Sequence, residues 1–260
     1  MPSINLRRIA AVTATAILAG CSTLKRSGNS NESAAHFYRD GLYALTHGDY
    51  SRAIKNFQTL NARFPYGAYA EQAQIDIAYA YYKDSHPNEA IDAADRFIRL
   101  HPTYQYVDYA YYLKGLANFG FHHSTLSNLF SGHSRTRRDT KRLVDAYDAF
   151  RVVVNRFPRS RYAADSRKRM DYLLNLMAKS QLNIAQYYYK RGAYVAAASR
   201  AKYVIEHYSR TPAVEEALAI QAMAYEKMGM KQLADDSLRV LELNFPDSHY
   251  IGQIRALAAG

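Results

Sequence analysis

Few residues of this 260-residue chain have the type and spacing to do chemistry. The clearest is Cys21, the only cysteine, which closes the phrase Leu18-Ala19-Gly20-Cys21. Before it come a basic start at Arg7 and Arg8 and an unbroken small and apolar run from Ile9 to Leu18. A single thiol forms no internal disulfide, so its use lies elsewhere. The apolar run falls far short of the roughly 20 residues that span a bilayer, so residues 1–20 read as a secretory signal. The ending resembles a lipobox, in which cleavage exposes the cysteine and the cysteine is acylated. Such a cysteine carries three acyl chains, and at about 0.8 kcal/mol per buried CH₂ the expected anchor is permanent. Ser22 rather than aspartate follows it, which in lipoproteins implies sorting to the outer membrane.

The remaining search for chemistry is negative. The chain has no His-Glu-x-x-His, no glycine-rich phosphate loop and no Gly-x-Ser-x-Gly elbow. His122, His123 and His133 are the only histidine grouping, and their spacing matches no standard zinc pattern. Acidic residues are scattered, with no close pair for acid–base work. The expectation is a protein that is not an enzyme and holds no metal and no cofactor beyond the covalent lipid on Cys21.

Charge narrows the partners. The chain has 34 Lys and Arg against 23 Asp and Glu, formally +11. Loss of Arg7 and Arg8 with the signal would leave +9. Export and lipidation place such a chain in the cell envelope, where anionic headgroups and acidic protein surfaces are available and nucleic acid is not the expected partner. Residues 21–33 read as the lipidated cysteine and a flexible tether, polar and rich in Gly, Ser and Asn.

The elements that must position any binding residue are repeats. The phrase RFPYGAY at 63–69 returns as RFPRSRY at 156–162 and NFPDSHY at 244–250. With Pro65 as position 32 of a 34-residue unit, Gly41 falls at position 8, Gly48 at 15, Tyr50 at 17, Ala53 at 20 and Phe57 at 24, the tetratricopeptide pattern. Pro246 gives a second close match through Ala222, Tyr225, Gly229 and Ala234. Pro102 closes a unit with Ala78, Tyr81 and Ala90, and Pro158 one with Ala146 and Phe150. Gly192, Tyr194 and Ala197 mark the remaining unit. The expected fold is all-α, an α-solenoid of about five tetratricopeptide-like helix pairs. Each proline stops the second helix of a pair, and Gly67, Ser160 and Ser248 are the expected N-caps of the next helix in each case. Residues 122–139 break the periodicity and read as a loop between helices 108–121 and 140–157.

In such a stack the first helix of each pair lines the concave side. The corresponding positions are Tyr38, then Ile75, Tyr79, Tyr82 and Lys83, then Tyr109, Tyr112 and Phe119, which predicts an aromatic groove. Tyrosine joins large apolar area to a hydrogen-bonding tip and dominates binding hot spots. The competing reading assigns most of the 24 tyrosines to core positions 11 and 17.

The run from Asn61 to Phe119, with RFPRSRYAADSRKRM and AQYYYKRGAYVAAASR after it, resembles the BamD (ComL-type) family of outer-membrane β-barrel assembly lipoproteins over nearly all of residues 21–260. The resemblance implies a scaffold that faces the periplasm. Its N-terminal repeats (34–121) would receive unfolded outer-membrane proteins, and its C-terminal repeats (140–260) would hold a BamA-like β-barrel insertase beside other assembly lipoproteins. By position it implies insertase contact at Arg200, and client contact at the aromatic groove with Arg63, Tyr66, Arg96 and Arg99 near it. Within the loop, SRTRRDT at 134–140 is more basic than the family pattern. The alternative is a free-standing tetratricopeptide lipoprotein that organises peptidoglycan enzymes. It would share anchor, charge and fold but has no reason to keep the Asn61–Phe119 run.

Overall fold

A computed structural model describes residues 33–120 and 137–259. The signal, Cys21, the tether, most of the expected loop and the three histidines His122, His123 and His133 lie outside the described residues. Eleven helices in five antiparallel pairs and a terminal helix make up the described chain, with no strand among those residues. The pairs are α1 (Ala34–Thr46) with α2 (Tyr50–Arg63), α3 (Ala68–Lys83) with α4 (Pro87–Leu100), and α5 (Val107–Gly120) with α6 (Arg137–Arg156). Then come α7 (Ala163–Lys190) with α8 (Tyr194–His207), α9 (Ala213–Lys227) with α10 (Lys231–Asn244), and α11 (Tyr250–Ala259). The α-solenoid expected from the repeat is therefore the observed fold. Helix α6 begins at Arg137, so residues 137–139, expected to lie in the loop, form its first turn.

Packing explains the repeat. Gly41 on α1 faces Phe57 on α2 so closely that a Cβ would lie 2.4 Å from the ring, and Gly115 on α5 meets Phe150 on α6 in the same way at 2.5 Å. Glycine in the first helix and phenylalanine in the second are thus one interlocking device used twice. Small residues do the same work elsewhere. Ala53, Ala90, Ala146, Ala197, Ala222 and Ala234, each at a small position of the repeat, are all buried. The core is a row of clusters shared between neighbours. Ile75, Phe97 and Leu113 join the second pair to the third, and Phe119, Leu143, Phe150 and Leu173 join the third to α7.

The turn inside a pair needs a left-handed residue. Gly48, Gly192 and Gly229 supply it at φ 78°, 76° and 71°, while Ser85 occupies the equivalent place in the second pair at φ 59°. The joints between pairs differ slightly from expectation. Gly67 is the N-cap of α3. Ser160 and Ser248 lie two residues ahead of the helix entry, where their hydroxyls accept the amides of Tyr162 at 3.1 Å and Tyr250 at 3.4 Å. Tyr162, not Ser160, is the N-cap of α7. These serines close a turn before the helix rather than capping it.

Successive first helices touch one another, α1 with α3, α3 with α5, and α7 with α9. The second helices lie outside them, so the first helices form the inner, concave wall.

Candidate binding surface

Three first helices build the N-terminal wall. On α1, the half-buried Tyr38 donates its hydroxyl hydrogen to Oδ2 of Asp76 on α3 at 3.0 Å. Its ring lies 5.8 Å from Phe57 and 5.3 Å from Tyr69. On α3, Tyr79 and Tyr82 are half-buried against Ile75, Ala78, Phe97 and Leu113. Tyr109 of α5 packs against the same cluster and approaches Tyr162 at 5.2 Å. Tyr112 stacks on Tyr162 with centroids 4.6 Å apart and planes 19° from parallel. Its hydroxyl donates to Oδ2 of Asp165 at 2.7 Å. In Tyr38 and Tyr112 the ring leans on the core while the hydroxyl reaches an aspartate.

Two expected wall residues belong elsewhere. Phe119 is buried and joins the core around Leu143 and Phe150, with Arg169 5.1 Å above its ring and Tyr172 against its edge. Ile75 is a core residue too. In both cases the next pair covers the side that a single unit would leave open. Two of the expected cations are also displaced. Arg96 and Arg99 are on α4, an outer helix, and so do not face the concave wall. Lys83 is exposed in the last turn of α3, where its charge suits the helix terminus. Arg63 ends α2 with its guanidinium 5.3 Å from the Phe37 ring, and Tyr66, in the joint, is 91% exposed.

The charge at the wall is instead acidic. Asp76 accepts from Tyr38 on one oxygen and from Gln72 Nε2 at 3.2 Å on the other. Burial pushes its carboxyl up to about 6, against the lowering effect of those hydrogen bonds. Burial comes first among the causes that raise the phenols of Tyr38, Tyr104 and Tyr109, and the Asp76 charge is a further one for each. The sequence carries a signal for Asp76 that the repeat positions pass over, since it is the only charged residue between Glu71 and Lys83.

A second network, also unread from sequence, closes the wall at its C-terminal side. Asp165 on α7 accepts from Tyr112 and from Arg169 Nε. Burial opposes its ionisation, yet the Arg169 and Tyr112 hydrogen bonds and the charges of Arg169 and Lys168 hold it below the usual carboxylate range. Tyr112 is pushed up to about 12 by burial and by Asp165.

Arg200 lies away from this wall, exposed on the outer helix α8. It donates to Gln181 Oε1 at 3.1 Å and edges a shallow recess with Tyr188, Ser199, Lys202, Tyr203 and Glu206. A guanidinium beside two tyrosines is suited to a carboxylate presented on an apolar or aromatic background. Among the described residues no three His, Cys, Asp or Glu side chains gather as a metal site, and no helix is long and apolar enough to cross a membrane.

A family model described as an outer membrane lipoprotein, YfiO, matches residues 30–241. A protein of Neisseria meningitidis serogroup A named outer membrane protein assembly factor BamD is 45% identical over 219 residues, which cover 84% of this chain and 82% of that one. One of the same name from Xylella fastidiosa is 37% identical over 245 residues, covering 94% of this chain and 83% of its own. The crystal structure of a thermophilic TPR protein of Thermus thermophilus aligns over 88% of this chain and 100% of that chain, at TM-score 0.39 and 15% identity.

Proposed function

The chain belongs to the YfiO family of outer membrane lipoproteins, and on that premise we propose that it is a scaffold of the outer-membrane β-barrel assembly machinery. It is held at the outer membrane by lipid on Cys21 and faces the periplasm. Its N-terminal first helices receive unfolded outer-membrane proteins, and the surface around Arg200 engages a BamA-like insertase beside other assembly lipoproteins. It performs no covalent chemistry. The observation that carries the reading is the tyrosine wall shared by α1, α3 and α5, with half-buried rings on the concave side of the stack. Barrel strands alternate apolar and polar residues and carry aromatic girdles, so an unfolded client offers extended segments whose rings can lie on such a wall.

Affinity purification of the lipidated protein with photo-crosslinkers at Tyr82, Tyr112 and Lys55 tests it. A β-barrel protein with periplasmic domains should co-purify, and nascent barrel proteins should crosslink at Tyr82 and Tyr112. Lys55, exposed on outer helix α2, should capture none. Capture at Lys55 alone would remove clients from the wall.

A further inference from the structure

The wall contains one ionisable acid whose partners are all neutral. Tyr38 and Gln72 each give Asp76 one hydrogen bond. Among the described residues no Lys, Arg or His forms an ion pair with it, and the effects that set its ionisation include no cation. A carboxylate has about four acceptor sites, so these two donors leave capacity on both oxygens. A partly buried charge without a countercharge is expensive, and a chain with formal charge +11 had cations to spend.

The surroundings are aromatic. Tyr38 from α1 is hydrogen-bonded to Asp76, whose charge also reaches Tyr104, in the joint before α5, and Tyr109 of α5, and Tyr79 of α3 packs against the same cluster as Tyr104 and Tyr109. Tyr38 adjoins Tyr69, and Tyr104 lies edge to face with Tyr106 at 5.7 Å. Ring faces carry negative potential, and a carboxylate beside several of them is a receptor for a cation. A metal ion is a poor fit, because hard cations need six or more oxygens and this place has one carboxylate.

We propose that Asp76 and the tyrosines around it bind a lysine or arginine side chain of an extended polypeptide, with a neighbouring aromatic of that polypeptide resting on the same wall. This rests on the reading that clients occupy the wall, and it assigns them a feature that reading lacks. On an extended chain, residues two apart point to the same side about 7 Å from one another. The segment recognised therefore has a basic residue two positions from an aromatic one. The acidic end of the wall is opposite in charge to Lys83, Arg96 and Arg99, the cations the sequence put at or near the groove.

The test uses the full lipidated chain in detergent and short fluorescent peptides, acetylated and amidated so that no terminal charge contributes. The peptides carry two aromatics on one face and, two residues from one of them, lysine, norleucine or glutamate. Norleucine keeps the stem and loses only the charge. The lysine peptide should bind about tenfold more tightly than the norleucine peptide, and glutamate should bind weakest. On Asp76→Asn, whose amide oxygen still accepts from Tyr38, the lysine preference should fall to about twofold or less. Equal affinity of the lysine and norleucine peptides on the unaltered protein overturns the proposal while leaving aromatic binding intact. A lysine preference that survives Asp76→Asn also overturns it, placing the cation elsewhere. Failure of every peptide to bind, with no capture by crosslinkers at Tyr82 or Tyr112, removes the wall as a client site and the proposal with it.

Discussion

Replacing Asp76 by asparagine should make the protein more stable at neutral pH and leave it unchanged in mild acid. Burial holds the carboxyl at about 6 against an ordinary value of 3.8. That difference corresponds to about 3 kcal/mol for keeping Asp76 ionised in the fold, and its partial contact with water lowers the figure to about 2 kcal/mol. The folded state holds the proton more tightly than the unfolded chain, so stability is highest below about pH 4, falls as pH rises to about 6, and is flat above. The phenols facing the group do not confuse this window, because Tyr38, Tyr104 and Tyr109 are raised from their ordinary value and stay neutral. Asparagine keeps an acceptor for the Tyr38 hydroxyl and carries no charge. Urea unfolding followed by far-UV circular dichroism between about pH 4 and 8 should show the variant gaining about 2 kcal/mol at the upper end and nothing at the lower. A gap that does not change with pH, or a variant less stable at about pH 8, would refute the reasoning.

Other substitutions test the packing and the second surface. Gly115→Ala should cost about 1–3 kcal/mol or more, because its Cβ would lie 2.5 Å from the Phe150 ring. Gly252→Ala, a helical site with nothing within 4 Å, should gain up to about 1 kcal/mol, and thermal melts of both variants check the two signs. Ser85→Gly should stabilise by about 0.5–1 kcal/mol, since φ 59° strains serine and suits glycine, and an unchanged or lower melting temperature would contradict this. Arg200→Glu should weaken binding of the insertase's purified periplasmic domains at least about tenfold with helicity unchanged, and unaltered affinity would take Arg200 out of that contact.

The architecture is legible because it is written in size. Gly41 with Phe57 and Gly115 with Phe150 repeat one small-against-large pairing between the first and second helix of a pair, and prolines close the units at Pro65, Pro102, Pro158 and Pro246. The wall is legible in outline only. A register shows which residues of one helix face inward but not which of those the next pair covers, and so it puts Phe119 and Ile75 on a surface that neighbours bury. Arg96 and Arg99 come in through family position, and their place on an outer helix takes them off the wall. Asp76 and Asp165 escape the repeat pattern because their roles depend on Tyr38 and Tyr112, which lie 38 and 53 residues away in sequence. No local pattern records such a pairing.

Helix α7 has a mechanical consequence. With 28 residues it is about 42 Å long. Its first turns carry Asp165 and Arg169, fastened to Tyr112, and its last turns carry Tyr188 at the edge of the Arg200 recess. The neighbouring pairs join shorter helices through turns, but between these two places the chain is a single rod. A tilt of about 5° at the Tyr112 end therefore displaces the far end by about 4 Å, roughly the width of a side chain. The tyrosine wall and the Arg200 recess thus sit at opposite ends of one lever, and the Asp165 network fastens the end nearest the wall.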